Sequence, residues 1–182
     1  MDTTTAMIIV VALILVGVVA VMLMQRRRTD DLRKQFGPEY DRALDEHGDQ
    51  RRAEAELAAR QQRVQKLDIR PLAPADRGRF VEEWRATQAR FVDAPAAAIT
   101  EADRLVSEVM QTRGYPVGDF EQRVADISVD HPTVVSNYRA ARTIAQANER
   151  GESSTEDLRQ AMVYYRSLFE DLLDIREKEV AQ

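Results

Sequence analysis

Residues 7–24 form an unbroken run of apolar side chains, and beyond Gln25 apolar positions recur among charged ones at helical spacing. As a helix rising ~1.5 Å per residue, the run spans about 27 Å, close to the hydrocarbon thickness of a bilayer. It predicts a transmembrane helix. A cleaved signal peptide would want a basic start, a shorter apolar stretch and a small-residue cleavage site. Here Asp2 and three threonines precede the run, and Gln25, Arg26, Arg27 and Arg28 follow it directly. The expectation is therefore a retained anchor. Three arginines on one flank and none on the other predict residues 1–6 outside and the following domain in the cytoplasm. Arg26, Arg27 and Arg28 are also the candidate contacts with anionic lipid headgroups. Gly17 has no small partner four residues away, so the run reads as a simple tether rather than a dimerising helix.

After a basic juxtamembrane stretch (25–37), Gly37 and Pro38 break any helix that continues out of the membrane. Residues 38–66 are rich in Arg, Glu, Gln and Ala and predict a charged, solvated spacer helix. Ala53, Leu57, Val64 and Leu67 fall on heptad-like spacing, which leaves weak self-association as an alternative. Two prolines, Pro71 and Pro74, mark a stiff connector, and the stretch 67–72 is the one place that resembles a strand. Beyond it the periodicity is strongly helical: Phe80, Trp84, Thr87 and Phe91 share one face. Asp93 is expected to cap the next helix, with Pro95 in its first turn and Gly114 as its stop. Its stripe is Ile99, Ala102, Leu105, Val106, Val109 and Met110. A turn at Tyr115, Pro116, Val117 and Gly118 leads to Asp119 as a cap, with Phe120, Val124 and Ile127 facing inward. Asp130, His131 and Pro132 read as another capped start, followed by Val134, Val135, Tyr138, Ala141, Ile144 and Ala145. Ser154 with Asp157 resembles a capping box ahead of Leu158, Met162, Tyr165, Phe169 and Leu172. The fold class is all-α: an N-terminal transmembrane helix, a spacer and connector (38–73), then an antiparallel bundle of about five helices (74–182).

Charge and candidate chemistry refine this picture by exclusion. A net charge of −5 argues against a nucleic-acid partner, and the absence of cysteine removes disulfides, thiol catalysis and thiolate metal sites. His47 and His131 invite a metal reading, and Asp126, Asp130 and His131 could in principle converge on an ion. No second histidine supports them, and a cap followed by an early proline explains the residues more simply. Ser107, Ser128, Ser136, Ser153, Ser154 and Ser167 sit in no nucleophile motif, and glycine is too scarce for a phosphate loop. No catalytic, cofactor or metal residue is assigned. The acidic stretch of Glu170, Asp171, Asp174, Glu177 and Glu179 reads as a solvated face, with docking of a basic partner as the alternative. The aromatics at helical spacing read as core.

The stretches FGPEYDRALDEHGD (36–49), KLDIRPLAPADRGRFVEEW (66–84), FVDAPAAAITEADRLVSEVMQTRGYPVGDFEQR (91–123) and VDHPTVVSNYRAAR (129–142) resemble an uncharacterised family of bacterial proteins. That resemblance implies a short N-terminal membrane segment and a helical domain, and it implies no activity or functional residue. The expectation is a single-pass protein of the bacterial inner membrane whose cytoplasmic domain is an interaction or scaffold module. Its partners would be the bilayer and a protein or a second copy. The alternative is a membrane-bound sensor or enzyme whose site is assembled only in three dimensions, lined by Trp84, Tyr115, Tyr138, Tyr165 or His131.

Overall fold

Backbone punctuation sets the element order. The computed structural model describes residues 3–116 and 118–173, with the side chains of residues 3–11 and of Ile14 outside that description. Among the described residues there are eight helices and no strand. Helix α1 (Thr3–Phe36) runs without interruption to Gly37, whose positive φ ends it, and Pro38 opens α2 (Pro38–His47). Gly48 then takes the left-handed conformation while its N–H bonds to the Leu44 carbonyl. Asp49 accepts from the Arg52 N–H and starts α3 (Gln50–Val64). The predicted single spacer helix is thus two helices folded back on each other, because a glycine stop and an aspartate cap stand side by side.

The remaining helices are α4 (Pro74–Arg90), α5 (Pro95–Arg113), α6 (Phe120–Asp130), α7 (Pro132–Glu149) and α8 (Thr155–Leu172). Asp119 caps α6, and Ser154 with Asp157 makes the reciprocal capping box of α8, as the spacing predicted. Two expected caps are corrected. The N-cap of α5 is Ala94, without a side-chain hydrogen bond, so Asp93 does not fill that place. Asp130 closes α6 and takes the Tyr115 hydroxyl at 2.7 Å instead of a backbone N–H, while His131 is the N-cap of α7. The connector is extended but unpaired as a strand. It is pinned to the end of α5 by one Arg70 N–H bond to the Arg113 carbonyl at 2.8 Å.

Two hydrophobic cores result. The larger fills the α4–α8 bundle and takes in every residue predicted for the stripes of α5 and α8. Trp84 stacks on Phe169 with centroids 4.6 Å apart, and Tyr138 meets Tyr165 edge-on. The smaller core gathers Leu32 and Phe36 from α1, Tyr40 and Ala43 from α2, Ala53, Leu57 and Val64 from α3, and Val129 from α6. The heptad-like positions Ala53, Leu57 and Val64 are therefore spent inside the chain's own lobe. The stretch 38–66 is not a solvated spacer. Its sparse apolar side chains suffice because small residues let the helices approach, Tyr40 and Leu57 are fully buried, and α1 adds Leu32 and Phe36.

Candidate membrane interface

The base of α1 is built into the small lobe. Phe36 is fully buried, and Leu32 lies one turn earlier on the same face. Thr29 donates to the Glu54 carboxylate at 2.7 Å, Gln35 pairs with Gln61, and the Gln35 amide also reaches the Val129 carbonyl. These contacts run from Thr29 beside Gln50 and Glu54 to Gln35 beside Gln61, so α1 and α3 point the same way. Glu54 accepts from Thr29, from the Tyr40 hydroxyl at 3.0 Å and from Gln50 at 2.8 Å, tying three helices together. Burial alone would raise its pKa. The hydrogen bonds from Gln50, Thr29 and Tyr40, with the charge of Arg28, outweigh that and hold it below the usual glutamate value. Burial, then the bond to Glu54, pushes the Tyr40 phenol upward.

On the other side of this base the apolar run is uncovered. Leu13, Val16 and Met24 are 66%, 67% and 71% exposed, and no face of residues 15–24 is covered by the domain. Among the described residues, no helix is long and apolar enough to cross a membrane. Of the apolar run, the described side chains are those of Ala12, Leu13 and residues 15–24, and Asp2 lies outside the described residues. Arg26, Arg27 and Arg28 follow on the same helix, all exposed.

The remaining sequence-predicted chemistry is dispersed. Asp126 Oδ1 accepts from Arg63 of α3 at 2.7 Å and from Gln122 of its own helix at 2.9 Å. Asp130 belongs to Tyr115, and His131 Nδ1 meets Asp171 Oδ2 at 2.6 Å. The three do not converge, and no group of three potential ligands exists among the described residues. Trp84, Tyr138 and Tyr165 are core side chains with internal partners. Tyr138 accepts from Arg123, and Tyr165 donates to Asp103, which Arg142 also holds. Burial raises both phenols above their usual value. Within the acidic stretch, Glu170 pairs with Arg166 and Asp171 with His131, while Asp174, Glu177 and Glu179 lie outside the described residues. His47 sits at the end of α2, and Val117 is outside the description.

Sequence reasoning missed an ionic joint between the two cores. Buried Glu39 of α2 is approached by Arg60 of α3 at 3.7 Å and by Arg139 of α7 at 3.3 Å, and Arg139 also holds Glu121. Arg63 and Asp126 add the second link, between α3 and α6. The one available signal was Asp126 itself, a carboxylate amid the apolar positions Val124, Ala125 and Ile127 of a short helix. A buried charge requires a partner, but nothing local says that the partner is 63 residues away. No protein family matches the chain, and no curated protein or solved structure matches it either.

Proposed function

We propose that the chain is a single-pass anchor joined to a cytoplasmic helical interaction module at a bacterial inner membrane, the setting its sequence resemblance implies. The observation that carries this reading is the continuity of α1. One helix carries the apolar run, with its side chains at Leu13 and residues 15–24 uncovered, and ends with Leu32 and Phe36 in the core of a folded lobe. Uncovered apolar surface on this scale calls for a nonpolar partner, and a bilayer covers all faces of a helix at once. Leu, Ile and Val fill twelve of the eighteen positions from 7 to 24. At about −0.3 to −0.6 kcal/mol each they favour insertion by roughly 4–7 kcal/mol. The arginine flank supports the inward orientation of the domain. An interaction role, rather than turnover, is supported by the polar clusters behind the interface, whose members are engaged in holding helices together.

The anchor is tested by alkaline extraction of cell membranes. The native chain is expected to stay with the membrane, whereas Leu15→Arg combined with Val18→Arg releases it, since two central arginines cost about 5–7 kcal/mol. Extraction of the native chain overturns the anchor. Orientation is read by an impermeant thiol reagent on Glu152→Cys in a chain that has no other cysteine. Labelling in intact spheroplasts overturns the cytoplasmic placement. Affinity capture of the full-length chain tests the module, and recovery of neither a partner nor a second copy argues against it.

A further inference from the structure

Many arginines elsewhere in the chain hold internal carboxylates. Arg79, Arg104, Arg142, Arg159 and Arg166 each hold an acid on their own or a neighbouring helix. Arg26 and Arg27 on α1, and Arg51 and Arg52 on the first turn of α3, break this pattern. Their side chains are exposed and make no hydrogen bond or ion pair among the described residues. Arg28 beside them spends its charge on Glu54 without a direct bond. These four uncommitted arginines stand at one end of the domain, the end where the apolar run leaves it.

The two arginine groups also share a level. Gln50 reaches the Thr29 hydroxyl at 3.3 Å and borders one cleft with Met22, Gln25 and Arg26. A second cleft, of about 440 Å³, is bounded by Gln25, Arg28 and Thr29 on one side and Gln50, Arg51 and Ala55 on the other. Because α3 runs in the same sense as α1, its first turn is the part nearest the apolar run. Thr29 lies about 7.5 Å beyond Met24 along a helix axis, and a leaflet's polar layer is roughly 5–8 Å deep. Phosphates thus fall within reach of arginines on both helices. Of the neighbouring acids, Asp49 is held as the α3 cap and Glu54 accepts three hydrogen bonds, while Asp30 and Asp31 stand one turn after Arg26 and Arg27 and border the same clefts without forming an ion pair with them.

We infer that Arg51 and Arg52 form, with Arg26, Arg27 and Arg28, a two-helix basic collar that binds the phosphates of anionic phospholipids and seats the small lobe on the bilayer. This rests on the membrane reading above. The seat is supplied by a turn that precedes the bundle, so it fixes the height and lean of the domain as well as its attachment.

The test uses the full-length chain in vesicles of phosphatidylcholine with or without phosphatidylglycerol. A nitroxide is placed at Ala55→Cys in the cleft or at Glu152→Cys, exposed on the bundle, and its collisions with a water-soluble nickel reagent report seating. With phosphatidylglycerol the Ala55 site is expected to become protected while the Glu152 site does not change. Changing Arg51→Gln and Arg52→Gln together should lower the seated-to-lifted ratio about thirtyfold, and Arg51→Lys with Arg52→Lys should largely retain it. Equal Ala55 exposure in both lipids, with the protein still floating with the vesicles, overturns the collar and leaves the anchor standing. Undiminished protection in the glutamine variant overturns it as well. Failure to float with either vesicle overturns both readings.

Discussion

The link between Arg63 and Asp126 is lopsided, and removing its two ends should not cost the same. The Asp126 side chain is 1% exposed and that of Arg63 is 37% exposed, with Nε and Oδ1 2.7 Å apart. Arg63→Ala leaves a carboxylate sealed from water with one neutral donor, the Gln122 amide, and an Oδ2 that has no hydrogen-bond partner. Breaking a buried pair from one side costs about 3–5 kcal/mol, and the solvent that reaches Arg63 places this site near 3. Asp126→Asn keeps the shape and an acceptor for Gln122, and it frees a guanidinium that can turn into water. Its cost is the difference between a charge-assisted bond and hydration, about 1 kcal/mol. For a chain of this size each kcal/mol moves the melting point by roughly 2–4 °C. Thermal unfolding of the full-length protein in mild detergent, followed by helix ellipticity, should show a drop of about 6–12 °C for Arg63→Ala and about 2–4 °C for Asp126→Asn. The double variant should be more stable than Arg63→Ala alone, because the stranded charge is gone. A larger loss for Asp126→Asn than for Arg63→Ala would refute the reasoning.

Two further outcomes follow from single positions. Gly114 sits at φ 99° with the Asp68 carbonyl oxygen inside the space a Cβ would need, whereas Gly78 lies in α4 with open space around it. Gly114→Ala should destabilise by at least about 2 kcal/mol in urea unfolding and Gly78→Ala should stabilise by about 0.5–1 kcal/mol, the same substitution with opposite sign. Glu54, whose pKa is lowered in the fold, contributes stability that is complete above its unfolded value and is lost as the pH falls through its folded one. The urea midpoint should therefore decline below about pH 4, and Glu54→Gln should flatten that part of the acid limb while lowering stability at neutral pH.

The bundle was legible in the sequence because its information is local. The stripes of α5 and α8 repeat at helical spacing, Gly114 stops one helix, and Asp119 and Ser154 start two others, each through groups within a turn of one another. The small lobe was not legible for the opposite reason. Gly48 and Asp49 carry a readable stop and start, but the charged composition around them favours a solvated helix, and only tertiary contact with Leu32 and Phe36 makes Ala53 and Leu57 a core. The same limit explains Asp130, which has the sequence of a cap and the environment of a Tyr115 acceptor. It also explains the joint around Glu39, whose partner Arg139 lies 100 residues away. The arginines after the apolar run were visible as a flank. That Arg51 and Arg52 stand beside them depends on the α2–α3 fold-back.

Helix α1 has no break between Met24 and Phe36, and this gives the apolar run an angular phase relative to the domain. Each residue turns a helix by about 100°, so one residue inserted after Met24 would rotate the whole domain by that angle relative to the apolar run and swing the α3 end away from its bearing. Seven residues, nearly two whole turns, would bring the bearing back within about 20° while lifting the domain by roughly 10 Å. Direction and height are thus separable in this chain. A twist or tilt of the helix at one end becomes a displacement of the bundle at the other, with no loop between them to absorb it.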